Sequence, residues 1–199
     1  MNTSCKIKLG NVNNLTDARF GAAAGAEWVG FSFDNTNPLY ISPVQAEAII
    51  GWLTGAKPIA EFSATQSLNE IEDIIRLLGF EWIQLNNTDM LHFFEGSDIQ
   101  VILEVDIKQE RWKEQLQHQS GVVKHILVKN FEMEQVAEIQ SLNTTALFDV
   151  EGLKVDELHQ LKETQLFGIN ISGGFETAPG LRDFDEMADV LDLFSDMYS

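Results

Sequence analysis

A closed parallel α/β barrel is the fold that three features of this 199-residue sequence predict. Short apolar runs alternate with segments of helical spacing along the whole chain, the pattern of repeated βα units. Eight such units can be counted, the number that closes a parallel sheet on itself. The strands are apolar at nearly every position, as expected of a sheet covered on both faces. The expected architecture is therefore a single (β/α)8 TIM barrel domain over residues 1–199, without linker or low-complexity tract. Such barrels usually take about 250 residues, so the loops must be short. A doubly wound open sheet is the alternative, and it would rarely need eight parallel strands in so short a chain.

The elements follow in order. The first strand is expected at 6–12, and its end carries Asn11, Asn13 and Asn14. A helix follows, with Thr16 or Asn14 as its cap and Leu15, Ala18 and Ala22 at helical spacing. The second strand covers 28–33, and Ser42-Pro43 opens a helix reaching about Leu53. The third strand is 58–62, followed by a helix over 68–78 with Leu68, Ile71, Ile74, Ile75 and Leu78 on one face. The fourth strand is 81–85, with a short helix at 90–94, and the fifth is 99–105, with a polar helical segment at 109–119. The sixth is 125–128 and its helix 133–142; the seventh is 145–150 and its helix 155–161. The eighth is 166–171, and an acidic amphipathic helix covers 184–197. The four tryptophans, Trp28, Trp52, Trp82 and Trp112, fall in these strands and helices, where core packing is their ordinary role.

Composition narrows the function. The hydrophobic content of 44% is ordinary for a globular chain. No apolar run approaches the ~20 residues of a membrane span, and the first residues lack the apolar core of a signal peptide. A cytoplasmic location is the expectation. The single cysteine, Cys5, rules out an internal disulfide or a cysteine-based metal cluster. The four histidines show no metal-ligand spacing and are expected on the surface or in packing. A formal net charge of −18 repels nucleic acid and anionic lipid at long range. No cofactor or metal is implied. The expected partner is a small molecule, with the chain a monomer or homodimer.

Ligands of parallel α/β proteins sit at the carboxyl ends of the strands. The last strand ends in Ser172-Gly173-Gly174, where consecutive glycines let backbone N–H groups approach an anion. Taken alone, Ser-Gly-Gly is better explained by an ordinary tight turn. At other strand ends stand Asn11, Asn86, Glu104, Lys129, Asp149 and Asn170. Glu104 and Asp106 share one face of their strand, as do Asp149 and Glu151. These carboxylates could form an oxygen-ligand cation site, although mutual solvation with Lys129 is the better reading.

The segment 14–50 carries Leu15, Asp17-Ala18, Gly25-Ala26, Gly30-Phe31, Phe33 and Tyr40-Ile41-Ser42-Pro43. Near the end stand Ser172, Gly174, Glu176, Pro179-Gly180 and Asp183, and Ile83-Gln84-Leu85 adds a weaker motif. In these residues, over about half of the chain, the sequence resembles the phosphoribosylanthranilate isomerase family of tryptophan biosynthesis. The resemblance implies the eightfold barrel, a phosphate loop after the last strand, and a cofactor-free Amadori-type aldose–ketose isomerisation. In the family a cysteine at the end of the first strand is the usual base and an aspartate at the end of the sixth the usual acid.

Those positions differ here. Counting back from Leu15, the cysteine position is Gly10; a register shifted by two puts Lys8 there instead. Cys5 lies about 16 Å upstream along a strand, with an odd offset that turns it to the other face. The acid position is Lys129. The arginine before Tyr40 is Leu39, and the glycine pair after the seventh strand is reduced to Glu151-Gly152. The strand-eight aspartate is Asn170, and the histidine after Gln84-Leu85 is Asn86. Six replacements at strand ends, with the framework kept, point to a retained scaffold whose chemistry has been removed or changed. The first reading is a barrel that has left the isomerisation and is a binding protein, a regulator or an enzyme of another reaction; a retained Ser172-Gly173-Gly174 anion loop would suit a phosphorylated ligand. The second is an isomerase with substitute groups, Lys129, Asp149 or Glu104. The third is a Schiff-base enzyme using Lys129, against which stands an ion pair with Glu104, Asp149 or Glu61.

Overall fold

The computed structural model describes residues 5–117, 121–142, 145–174 and 185–195. Strand β1 (Lys6–Gly10) leads to α1 (Leu15–Ala23), β2 (Trp28–Ser32), α2 (Pro43–Ile50), β3 (Lys57–Glu61), α3 (Leu68–Leu78), β4 (Trp82–Leu85) and β5 (Gln100–Asp106). Then follow α4 (Trp112–Gln117), β6 (Val123–Lys129), α5 (Val136–Gln140), β7 (Ala146–Asp149), α6 (Val155–Lys162), β8 (Gly168–Ser172) and α7 (Asp185–Ser195). Short 3-10 segments stand at Thr88–Phe94 and Met133–Gln135. The strands pair in sequence order, all parallel, and β1 closes the barrel on β8. His118, the loop residues Glu176, Pro179, Gly180 and Asp183, and the expected ends of the last helix, Phe184 and Met197, lie outside the described residues.

Local chemistry fixes the helix starts. Asn14 caps α1, its side chain accepting from the Asp17 N–H at 2.9 Å. Ser42 and Ser67 form capping boxes with Gln45 and Glu70, and Pro43 takes the first turn of α2. Helix α3 stops at Gly79, whose φ of 69° suits a residue without a side chain. Helix α2 stops at Ile50, short of the expected Leu53. Trp52 therefore does not follow the helical phase inward. It is 71% exposed, not part of the core as its sequence context suggested.

Two layers of core hold the barrel. The larger lies between sheet and helices and includes Val29, Phe31, Ile83, Leu103, Ile126, Phe148 and Leu161. The smaller fills the barrel itself: Trp28, Ile59, Trp82, Ile102, Leu127 and Leu147, with Phe167 against it. One residue from each of β2 to β7 contributes to this inner layer. Strand β6 carries an extra residue opposite Val101/Ile102. Beyond this bulge His125 stacks on Trp82 and Phe167, with centroids 5.6 and 4.7 Å away. Burial there pushes the His125 imidazole down to about 4. The barrel floor is thus closed by neutral rings. Among the described residues no helix is long and apolar enough to cross a membrane.

The closure of β1 on β8 depends on Gly168. A Cβ there would stand 2.4 Å from the Lys6 carbonyl oxygen and 2.6 Å from Leu147 Cδ2. The oxygen is backbone and cannot withdraw without opening the seam. Gly168→Ala is expected to cost about 1–3 kcal/mol, measured as a lower urea midpoint; an unchanged midpoint would show that the seam can shift.

Candidate functional site

Strand side chains alternate faces, so the position two residues after each inner-layer residue also points into the barrel. From Ile59, Trp82, Ile102, Leu127 and Leu147 that step reaches Glu61, Gln84, Glu104, Lys129 and Asp149. On β1 and β8 the equivalent places are held by Lys8 and Asn170. Apolar floor thus gives way to polar mouth within one pleat. The mouth measures about 630 Å3, part of it open to solvent. It lies at the carboxyl ends of the strands, where ligands of this architecture bind.

Lys8 is 1% exposed, and its ammonium pairs with Glu61 Oε1 and donates to Asn170 Oδ1 at 3.0 Å. The other Glu61 oxygen accepts the Asn11 N–H at 2.9 Å. Asn11 takes a φ of 53°, a left-handed conformation that asparagine tolerates better than most residues. The Asn170 amide donates to Asp149 Oδ1 at 3.0 Å, and the second Asp149 oxygen stands 3.7 Å from Lys129 Nζ. A continuous polar chain therefore runs Glu61–Lys8–Asn170–Asp149–Lys129 across the barrel. Gln84 donates to Glu104 Oε2 at 2.8 Å, and its own Oε1 is buried without a partner.

Two glycines make this chain fit. A Cβ on Gly10 would stand 2.9 Å from both Lys8 Nζ and Glu61 Oε1, and 3.2 Å from Asn170 Oδ1. A Cβ on Gly30 would fall 2.0 Å from Glu61 Oε1. Those are side-chain ends, but buried and hydrogen-bonded ones. The place where a residue-10 side chain would project is filled by the Lys8–Glu61 pair. Cys5 is buried in the outer core, where burial raises its thiol to about 11. Neither residue supplies a base at the mouth.

Burial raises the Glu104 and Asp149 carboxyls above the ordinary range, against the pull of Lys129. Burial alone would lower Lys129, but Glu104, Asp149, Glu151 and Glu61 outweigh it and hold the ammonium above its usual value. The group titrates as a cluster, and its lysine stays charged at neutral pH.

The sequence-predicted residues fall as follows. Asn11, Asn86, Glu104, Lys129, Asn170 and Ser172 line the mouth, and Asp149 joins them through Asn170 and Lys129. Glu151 is exposed, acting on the cluster only through its charge on Lys129 and Asp149, and Asp106 accepts from the Lys108 N–H at 2.9 Å. Among the described residues no group of three or more His, Cys, Asp or Glu side chains is placed to hold a metal ion. Gly173 donates its N–H to the Gly10 carbonyl at 2.6 Å, which removes that donor from any anion. Ser172 Oγ accepts from Asn11 Nδ2 at 3.3 Å. Lys8, Glu61, Gln84, Ser32, Asp34 and Asn37 also line the mouth; of these only Glu61 is expected there, as a partner of Lys129, and it pairs instead with Lys8. The first three carry a legible signal, polar residues two after or level with an apolar inner layer.

Two measurements test this electrostatic picture. Lys8→Met strands a buried carboxylate and is expected to cost about 3–5 kcal/mol. The double variant Lys8→Met/Glu61→Leu should recover most of it in urea unfolding; a double variant as unstable as the single would show that the pair is not the unit. Glu104 and Asp149 hold protons more tightly folded than unfolded. Their contribution favours the fold below the ordinary carboxylate range and is lost as pH rises through the folded values. Glu104→Gln should therefore raise the urea midpoint at neutral pH and leave it unchanged below about pH 4. A lower midpoint at neutral pH would mean that attraction to Lys129 outweighs burial.

No family model matches the chain. The N-(5'-phosphoribosyl)anthranilate isomerase of Pelobacter propionicus is 25% identical over 191 residues, covering 89% of this chain and 90% of that protein. Phosphoribosyl anthranilate isomerase from Thermus thermophilus superposes with a TM-score of 0.76 at 16% identity, over 94% of this chain and 97% of that one. Monomers generated from the dimeric isomerase of Thermotoga maritima superpose with a TM-score of 0.74 at 22% identity, over 96% of both chains. In sequence at about a quarter identity, and in fold over nearly its whole length, the chain is similar to the phosphoribosylanthranilate isomerases.

Proposed function

We propose that this barrel keeps the ligand mouth of its relatives but no longer isomerises phosphoribosylanthranilate, and binds a small polar molecule there. The observation that carries the reading is at Gly10. General acid–base catalysis needs two groups on opposite sides of the reacting carbons, each within hydrogen-bond reach. The resemblance puts one of them at position 10, where this chain has no side chain and the Lys8–Glu61 pair fills the space. The position of the second is Lys129, a cation held above its ordinary pKa and so a poor proton donor at neutral pH. The same property leaves little neutral amine for a Schiff base. Gly173 donates to Gly10 and so is spent for a phosphate, while Ser172 lines the mouth.

A second reading is favoured by Asp149 and Glu104. Their raised carboxyls beside Lys129 are the kind of groups that could share out acid and base roles in a rebuilt isomerase. Fluorescence-monitored conversion of freshly generated phosphoribosylanthranilate separates the two. The purified protein is expected to match buffer. Turnover that disappears in Lys129→Ala or Asp149→Ala would overturn the first reading and establish the second.

A further inference from the structure

We infer that the chain pairs with a second copy of itself, the Trp52 indole of each copy seated in a groove between α1 and α2 of the other.

Helix α2 ends at Ile50, and the chain runs through Gly51 to Ala56 before β3 begins at Lys57. That connection lies at the amino ends of the strands, on the side of the barrel opposite the mouth. Trp52 stands on it, 71% exposed. On the helix before it Val44 and Ala48, four apart on one face, are exposed as well. Single exposed apolar residues are ordinary, but a contiguous set marks a contact surface. Beside this ridge runs a groove of about 750 Å3, part of it open to solvent. Leu15, Ala18, Ala22, Ile49 and Leu53 line it, and the small side chains of α1 leave it hollow. Apart from Trp52 itself, only Arg19 and Thr54 bring polar side chains to its wall. Among the described residues nothing fills it.

Two features of the patch select a second copy as the occupant. Protrusion and hollow lie side by side, because Trp52 forms one wall of the groove. A two-fold axis between them puts each indole into the other copy's groove, the self-complementary arrangement of a symmetric dimer. The second feature is charge. A formal net charge of −18 makes copies repel one another over most approaches. Residues 35–56 carry one charged side chain, Glu47, in a chain of which 22% is charged. Arg19, in the groove, balances it. Two acidic copies therefore meet with least repulsion at this face. A basic partner would be drawn to the acidic surface elsewhere. The area also suffices for a modest dimer. A tryptophan buries about 150–250 Å2, and an inserted indole hides a similar area of the groove. Two reciprocal insertions, with Val44 and Ala48 at their edges, approach the roughly 1,000 Å2 of a specific interface.

Sedimentation velocity of the whole chain over a dilution series tests the inference. The wild type should pass from dimer to monomer in about the micromolar range. Trp52→Glu, at an exposed position, should keep its circular dichroism and weaken association at least about thirtyfold. Ala23→Glu, on the exposed α1 rim of the groove, should do the same from the other side of the contact. If one variant fails to fold, the other decides. Added salt should strengthen the dimer by screening the repulsion between copies. Tryptophan emission should shift to the red on dilution, because Trp28, Trp82 and Trp112 are buried and only Trp52 changes surroundings. A chain that sediments as a monomer at every concentration, or a dimer that the folded variants leave intact, overturns the inference. A monomer whose Trp52 emission responds only to a foreign protein or a small apolar ligand would also overturn it, giving the groove to another occupant.

Discussion

The pairing of Lys8 with Glu61 inside the barrel is the contact on which the mouth depends. Neither group can be buried alone, because an unpaired charge away from water costs several kcal/mol. Once paired, they constrain everything around them. The pair needs space, which Gly10 and Gly30 provide by having no side chain. It needs further hydrogen bonds, which the Asn11 N–H and Asn170 Oδ1 supply. Asn170 then orients Asp149, and Asp149 faces Lys129. Five strands, β1, β3, β6, β7 and β8, are thereby tied through polar side chains as well as through the backbone ladder.

This connectivity changes how the replacements at strand ends read. A glycine at position 10 looks, in isolation, like a lost catalytic group. In the folded chain it is a requirement of the polar network, since any side chain there would meet the Lys8 ammonium. The same holds for Asn170, which accepts from Lys8 with one end of its amide and donates to Asp149 with the other. A carboxylate in that place could not do both. Under the proposed function, the mouth is rebuilt around a different set of contacts rather than eroded.

The barrel was legible in the sequence because its signals are local. Continuous short apolar runs and helical spacing are set within a few residues, and Ser67, Glu70 and Gly79 bracket α3 at its observed ends. Where a distant partner decides, local signals fail. Trp52 was expected in the core, but α2 ends before it and it faces outward. The bulge in β6 turns His125 into the barrel floor, and no pattern within β6 announces it. The site divides along the same line. Glu104, Lys129, Asp149 and Asn170 are visible as polar residues ending apolar strands. Lys8 and Glu61 are equally polar and equally placed, yet their meaning lies in each other, 53 positions apart. Only closure of the sheet brings them together.

Closure also explains why the two ends of the sequence carry the family resemblance most plainly. Residues after β1 and at the end of β8 lie far apart in the chain but are neighbours at the seam, where Gly10 stands opposite Ser172. The Gly173 N–H extends that ladder to the Gly10 carbonyl, and a Cβ on Gly173 would stand 2.9 Å from the Asn11 carbonyl oxygen. This glycine is therefore demanded by packing between β1 and β8, whatever the loop binds. A Ser-Gly-Gly motif can be kept for the seam while the chemistry above it changes. The framework of the barrel and the reaction at its mouth draw on different residues, so resemblance in the first does not carry the second.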